Sequence, residues 1–357
     1  MAAALLAAVL LSHNTVGAVS AKNAIVVDAQ TGRVLYARAP DEKALIASTT
    51  KIMTALLVCE QCNVLDRMAI PKQAVGIEGS SMYLQEGEIL TLQELLYGLM
   101  LKSGNDAAVA LAIYCGGTVE GFAQLMNDKA HRLGMKNTHF VNPNGLDAPG
   151  HYSTARDMAI LAAYAMQNPI FYQTVSTKTV TVTNRSLRNH NKLLWQVDGA
   201  DGVKTGYTKA AGRILVSSTT RQGRRIIVVT MNDPNDWADH AKLVEDGFSQ
   251  FSVKQIVQDG QCLGTVEVAG GSAGEVPLLA ANGFSYALRE DENVEIGLPA
   301  PGFVYAPVVE NADAGYAHVL VDGASVGTIA LVYGQTVEQI PEEKTTILDK
   351  LRNLVGK

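Results

Sequence analysis

The chain has 357 residues, 47% of them hydrophobic and 18% charged, with a formal net charge of -6. That length exceeds the usual single-domain range, so one large domain with a smaller companion is expected, and the apolar content suffices for a substantial core and excludes a disordered chain. The acidic balance excludes a nucleic-acid footprint, which needs a concentrated excess of Lys and Arg.

Residues 1–21, MAAALLAAVLLSHNTVGAVSA, run from apolar to small side chains and resemble a secretory signal. Cleavage sites are offered at Val16-Gly17-Ala18 and Val19-Ser20-Ala21, and Ser12-His13-Asn14 breaks the run too early for a spanning helix. The positive flank of a signal is missing; the alternative is an apolar helix of the folded domain. Residues 24–28 and 33–37 are β-prone and joined by Ala29-Gln30-Thr31-Gly32, which predicts a hairpin. The long apolar pattern over 49–62 predicts a buried helix starting at Ser48 or one residue later, which sets Ser48 at the positive end of its dipole. Cys59 and Cys62 close that run as a Cys-x-x-Cys. No second Cys or His pair stands at metal-ligand spacing, so no metal is expected and small buried thiols are the reading, with Cys115 and Cys262 as single core positions.

Further helices are predicted over 92–101, 106–114, 119–133 and, behind a Thr154-x-x-Asp157 capping box, 155–166. After Pro169 the period changes: 179–183, 202–208, 213–219 and 225–231 read as strands and 236–251 as a closing helix. Strands at both ends with helices between them predict one antiparallel sheet with helices against it, an α+β domain. From about residue 254, short alternating runs at 264–268, 294–296, 317–321 and 327–332 predict a small all-β module. The expected divisions are therefore 1–21, 22–253, 254–340 and a tail, 341–357. In the tail Ile347, Leu348, Leu351, Leu354 and Val355 share a helical face away from Lys350, Arg352 and Lys357, which permits either an interfacial helix on a membrane or a helix docked on the β module.

Three segments carry chemistry: Ser48-Thr49-Thr50-Lys51, Ser103-Gly104-Asn105 and Lys204-Thr205-Gly206. Residues three apart share a helical face, so Lys51 Nζ reaches Ser48 Oγ. The apolar run behind Lys51 desolvates it and Lys204 adds positive charge, which together would free its lone pair to act as a base. Ser103 is expected to hydrogen-bond both lysines and relay a proton, Asn105 to hold Lys51 or a substrate amide, and Lys204, Thr205 and Thr208 to receive a carboxylate. Each segment alone is weak, and their order and spacing carry the reading of an acyl-transfer site that needs no cofactor.

With these motifs the chain resembles the serine D-alanyl-D-alanine carboxypeptidases, the low-molecular-mass penicillin-binding proteins, a superfamily marked by Ser-x-x-Lys and Lys-Thr-Gly. Supporting stretches are Ala47-Ser48-Thr49-Thr50-Lys51-Ile52-Met53-Thr54, Asn142-Pro143-Asn144-Gly145-Leu146 and Asp201-Gly202-Val203-Lys204-Thr205-Gly206-Tyr207-Thr208. The likeness spans residues 23–251 and, more loosely, a β-rich C-terminal domain. It implies a serine β-lactamase/transpeptidase-like α+β domain followed by a small all-β domain. It also implies Ser48 as nucleophile, Lys51 as base, Ser103 and Asn105 as the second element, and substrate binding by Lys204, Thr205, Gly206, Tyr207 and Thr208. The oxyanion hole would be the N–H groups of Ser48 and Tyr207. Substrates and ligands would be peptidoglycan stem peptides and β-lactam antibiotics. The place of action would be extracytoplasmic, with the tail as a route to the outer face of the cytoplasmic membrane. Some members grip the substrate carboxylate with an Arg after the last strand; here Asn232-Asp233-Pro234-Asn235-Asp236-Trp237-Ala238-Asp239-His240 holds none.

A class A β-lactamase shares the three motifs but needs a carboxylate-held water, usually within Glu-x-x-Leu-Asn, and the stretch after Asn137 offers only Asn142-Pro143-Asn144-Gly145-Leu146. A non-catalytic wall-binding protein of the same fold is the other alternative.

Overall fold

The computed structural model describes residues 19–298 and 302–341, so most of the predicted leader and the amphipathic tail lie outside the described residues. The chain divides into two compact units at Ser252 and Val253. In the first unit, strands β1 (Asn23–Asp28) and β2 (Val34–Arg38) precede a 3-10 turn (Ala47–Thr50) and helix α1 (Lys51–Gln61). A small hairpin, β3 (Arg67–Ala69) with β4 (Ile89–Thr91), leads into α2 (Leu92–Leu101), α3 (Asn105–Gly116), α4 (Val119–Arg132), α5 (Ala155–Ala165) and α6 (Pro169–Ser176). Then come β5 (Thr179–Val182), β6 (Arg185–Arg188), α7 (Leu193–Gln196), β7 (Ala200–Thr208), β8 (Gly212–Arg221), β9 (Arg224–Met231) and α8 (Asp236–Gln250).

The main sheet is antiparallel in the order β2-β1-β9-β8-β7. Helices α5 and α8 both pack against β9, and the middle of β8 and nearly all of β9 are buried. This is why Ile226–Val229 reads as a continuous apolar run rather than an alternation. Helix α1 is buried from Lys51 to Cys59, as a helix apolar all round must be. One row across the sheet runs Lys204, Val216, Val229, Ile25. Directly paired residues share a face, so Lys204 stands in line with three residues of the core that includes Ile52 and Leu56 of α1.

Several expectations are corrected. The strand at 179 exists, but it pairs only with β6 and lies outside the main sheet, while Pro169 opens a helix capped by the Asn168 side chain. The capping box at α5 is half formed. Thr154 accepts from Asp157 N, but the Asp157 carboxylate turns to Asn137 N and Thr138 Oγ1, because a tertiary partner competes with the local one. Cys62 is no buried thiol; it is bonded to Cys115, joining the end of α1 to the last turn of α3. Cys59 is a free buried thiol, pushed up to about 12 by burial and Glu60, and Cys262 is exposed rather than in the core.

The second unit is all β: β10 (Ser252–Val257), β11 (Cys262–Ala269), β12 (Glu275–Ala280), β13 (Phe284–Leu288), β14 (Val294–Gly297), β15 (Phe303–Tyr305), β16 (Asp313–Val321) and β17 (Ala324–Tyr333). Six strands form one sheet, β14-β16-β17-β12-β11-β15, and β10 pairs with β13. Alternation is plain in β16, where Ala317, Val319 and Val321 turn inward and His318 outward.

Candidate active site

The first motif folds back on itself. Thr49 Oγ1 donates to Ile46 O at 2.5 Å and Thr50 Oγ1 to Ala47 O at 2.8 Å, so both hydroxyls close the 3-10 turn that carries Ser48. The α-helix proper begins at Lys51, one turn later than the sequence pattern suggests, and Ser48 sits in the tighter turn before it. Gly206 of β7 lies against that turn. A Cβ there would stand 3.3 Å from Ala47 Cβ, Ile46 O and Ser48 N, so the bare backbone of the third motif approaches the Ser48 amide as no side-chain-bearing residue could without displacement.

Lys51 is fully buried, and its Nζ has three neighbours: Ser48 Oγ at 2.9 Å, Asn105 Oδ1 at 2.7 Å and the carbonyl of Asn144 at 2.5 Å. The last two can only accept. A neutral amine has two N–H groups and one lone pair, so it satisfies both carbonyl oxygens and leaves the lone pair for the Ser48 hydroxyl. The electrostatics agree: burial first, then the charge of Lys204, pushes Lys51 well below the usual lysine value, against an opposing pull from Asp106. Lys204 is itself buried, donates to Thr205 O at 2.8 Å, and is brought down by burial to about 7.

The second motif sits in the elbow between α2 and α3. Ser103 is buried with a left-handed backbone, φ +61, a strained state for a non-glycine residue of the kind found at functional sites. Its hydroxyl makes no hydrogen bond to Lys51 or Lys204 among the described residues, which corrects the expected double contact. Asn105 opens α3. Its N–H donates to Ser80 O at 2.7 Å and its Nδ2 to Glu78 O at 2.5 Å, which aims Oδ1 at Lys51.

The third motif occupies β7, the edge strand of the main sheet. Tyr207 is 67% exposed. Thr208 Oγ1 is 3.1 Å from Asp147 Oδ1 and accepts from Ala211 N at 3.0 Å, so its hydroxyl closes the β7–β8 turn. Arg213, paired with Tyr207 across the ladder, binds Asp236 at 2.8 and 3.0 Å and lies over Trp237.

Sequence reasoning missed the carbonyl of Asn144 as a partner of Lys51. The Asn142-Pro143-Asn144-Gly145 run signals a tight turn, and Asn142 Oδ1 indeed accepts from Gly145 N at 2.7 Å. Where that turn points is a matter of tertiary packing: Gly145, at φ +86, sits so close to Ala47 O that a Cβ would be 1.9 Å from it.

The chain is similar to known proteins over both units. Residues 10–235 match the D-alanyl-D-alanine carboxypeptidase family and residues 251–339 the C-terminal domain of penicillin-binding protein 5. The chain is 33% identical to D-alanyl-D-alanine carboxypeptidase DacF of Bacillus subtilis over 323 residues, covering 85% of this chain and 82% of that protein. It is 33% identical to DacC of Escherichia coli over 341 residues, covering 90% and 85%. Penicillin binding protein 5 of Haemophilus influenzae superposes with a TM-score of 0.81 at 30% identity, over 92% of this chain and all of the other.

Proposed function

The chain belongs to the D-alanyl-D-alanine carboxypeptidase family, and on that footing we propose that Ser48 is its nucleophile and Lys51 the base that activates it. The protein is a serine-type carboxypeptidase that acts on peptidoglycan, binds β-lactams and works outside the cytoplasm. The observation that carries the residue roles is the Lys51 amine, buried among two carbonyl acceptors and the Ser48 hydroxyl.

Ser48 Oγ adds to the carbonyl carbon of the penultimate D-alanine while its proton passes to the Lys51 lone pair. The N–H groups of Ser48 and Tyr207 receive the oxyanion, which the approach of Gly206 to Ser48 N supports. As the C–N bond breaks, the proton taken up by Lys51 passes to the leaving D-alanine amine through the Ser103 hydroxyl, turned toward Lys51 for this step, which restores the neutral amine and leaves an ester to Ser48. Water attacks the ester with Lys51 again as base and releases the shortened peptide. Asn105 orients Lys51, and Lys204 with Thr205 receives the substrate's terminal carboxylate. Tyr207 and Thr208 bound the cleft at the end of β7. A β-lactam acylates the same hydroxyl, but its leaving group stays tethered and obstructs the water.

The domain bounds we propose are 22–253 for the peptidase domain and 254–340 for the β domain, after a leader of residues 1–21. The bond between Cys62 and Cys115 supports an oxidising compartment. We further propose that residues 341–357, of which 342–357 lie outside the described residues, lay an amphipathic helix on the outer face of the cytoplasmic membrane, on the sequence pattern alone.

Intact-mass spectrometry after benzylpenicillin tests the assignment. One acyl group is expected on the wild type, mapped to Ser48, and none on a folded Ser48→Ala variant, whose turnover should fall on the order of 10⁴-fold or more. An undiminished adduct on that variant would overturn it.

A further inference from the structure

The residue before Ser48 is held in an unfavourable state. Ala47 has φ +44, a left-handed conformation that a residue with a Cβ adopts only when its surroundings impose it. The Ala47 carbonyl accepts from Thr50 Oγ1 at 2.8 Å, and that hydroxyl lies 2.8 Å from Nε2 of His151. The other ring nitrogen, Nδ1, accepts from Val141 N at 3.1 Å. An accepting Nδ1 in a neutral ring leaves the proton on Nε2, so the chain runs one way: Val141 N–H to Nδ1, Nε2–H to Thr50 Oγ1, Thr50 O–H to Ala47 O. His151 is 2% exposed, with its ring edge-on to Phe140 at 5.8 Å. Burial first, and then the neighbouring His139, brings it down to about 4, so the neutral tautomer persists at physiological pH.

The loop that ends at His151 therefore touches the site twice, through Asn144 O on Lys51 and through His151 on Thr50. We propose that His151 is a positioning residue for acylation, fixing the Thr50 hydroxyl so that the Ala47 peptide stays in the left-handed turn that aims Ser48 Oγ. The proposal rests on the reading of Ser48 as nucleophile. It differs from a purely structural role, because the Thr50 bond governs the rate while both ring bonds govern stability.

Three variants separate the two. His151→Phe fills the volume and removes both bonds. His151→Gln keeps a donor for Thr50 Oγ1 but leaves Val141 N–H without its acceptor. Thr50→Val removes the hydroxyl alone. Acylation by benzylpenicillin, kcat and KM on a D-alanyl-D-alanine peptide, and thermal unfolding are measured on each. His151→Phe is expected to lose on the order of 10- to 100-fold in acylation rate and kcat with KM little changed. His151→Gln should recover most of that rate while melting lower than wild type, as His151→Phe does. Thr50→Val should match the Phe variant in rate, and the double variant should be no slower than either single one. Wild-type acylation in His151→Phe overturns the proposal; so do equal slowing in Phe and Gln, or losses that multiply in the double variant. If His151→Phe does not fold, Thr50→Val at wild-type rate overturns it equally. Failure of the wild type to acylate at Ser48 sinks the nucleophile reading together with this one, whereas Ser48 labelling undiminished in rate in His151→Phe sinks this one alone.

Discussion

The two units bury different things. Among the described residues every buried polar or charged side chain, from Asn23 to His240, lies in the first unit, and the buried side chains of the second are aliphatic or aromatic. The second core, with Val276, Val319, Leu331 and Val337, does what burial of apolar surface does and no more. The first holds Lys51, Lys204, His151 and His240 out of water, and each has its proton affinity driven down as a result. Desolvation that would be only a cost in a structural core is the source of a base at the site.

The largest test of this contrast is Lys51→Arg. A guanidinium stays charged under all relevant conditions and offers no lone pair, so acylation should fall 10²- to 10⁴-fold, in the range of a lost general base. In the wild type the acylation rate should rise with pH as Lys51 sheds its proton, with a midpoint below the ~10.4 of a free lysine. Near-native acylation by the Arg variant, or a wild-type midpoint at the free-lysine value, would mean that burial at Lys51 is incidental.

A middle-sized test strikes the other core. Leu331→Ala should cost the second unit about 2–5 kcal/mol, read as a lowered unfolding transition, because Leu331 is fully buried. Penicillin acylation at Ser48 should not change. A matching fall in acylation would show that the apolar core serves the chemistry as well.

The smallest effect concerns acid. His240 of α8 is fully buried between Ser217 Oγ, at 2.7 Å from Nδ1, and Thr230 Oγ1, at 2.9 Å from Nε2, and burial brings it down to about 3. The unfolded chain takes up a proton at His240 below about pH 6.5 and the folded one does not until near 3, so stability is full above that window and falls as pH drops through it. The contribution is about 1.4 kcal/mol per pH unit. Urea unfolding of His240→Gln should show a pH slope shallower by about that amount between pH 6 and 4 for the first unit, with the second unit unmoved. Identical slopes for variant and wild type would remove His240 from the account.

The outline of both units was legible because hydrophobic period reports burial. The run at 225–231 read as a strand, and the alternation at 317–321 as part of a small all-β module. The short segments failed for a physical reason: the Thr154-x-x-Asp157 pattern and the strand at 179 are local signals, and longer-range partners decided them. Cysteine spacing likewise hid the bond between Cys62 and Cys115, 53 residues apart.

At the site itself, the sequence alone determined the Ser48–Lys51 pair, since three residues of helical geometry place an amine on a hydroxyl whatever the rest does. It also determined the reactive groups of the other two motifs. Tertiary structure decided what those groups are. Lys204 on an edge strand reads as a solvated cation until the sheet sets it in one row with Val216, Val229 and Ile25. His151 carries no motif and the stretch around Asn144 names no partner for its carbonyl; the loop between them reaches Lys51 and Thr50 where Gly145 lets its backbone close on Ala47. Hydrogen-bond reach and loss of solvent are properties of neighbours in space. A linear spacing supplies them only within a turn of helix, and beyond that the packing of the whole unit decides.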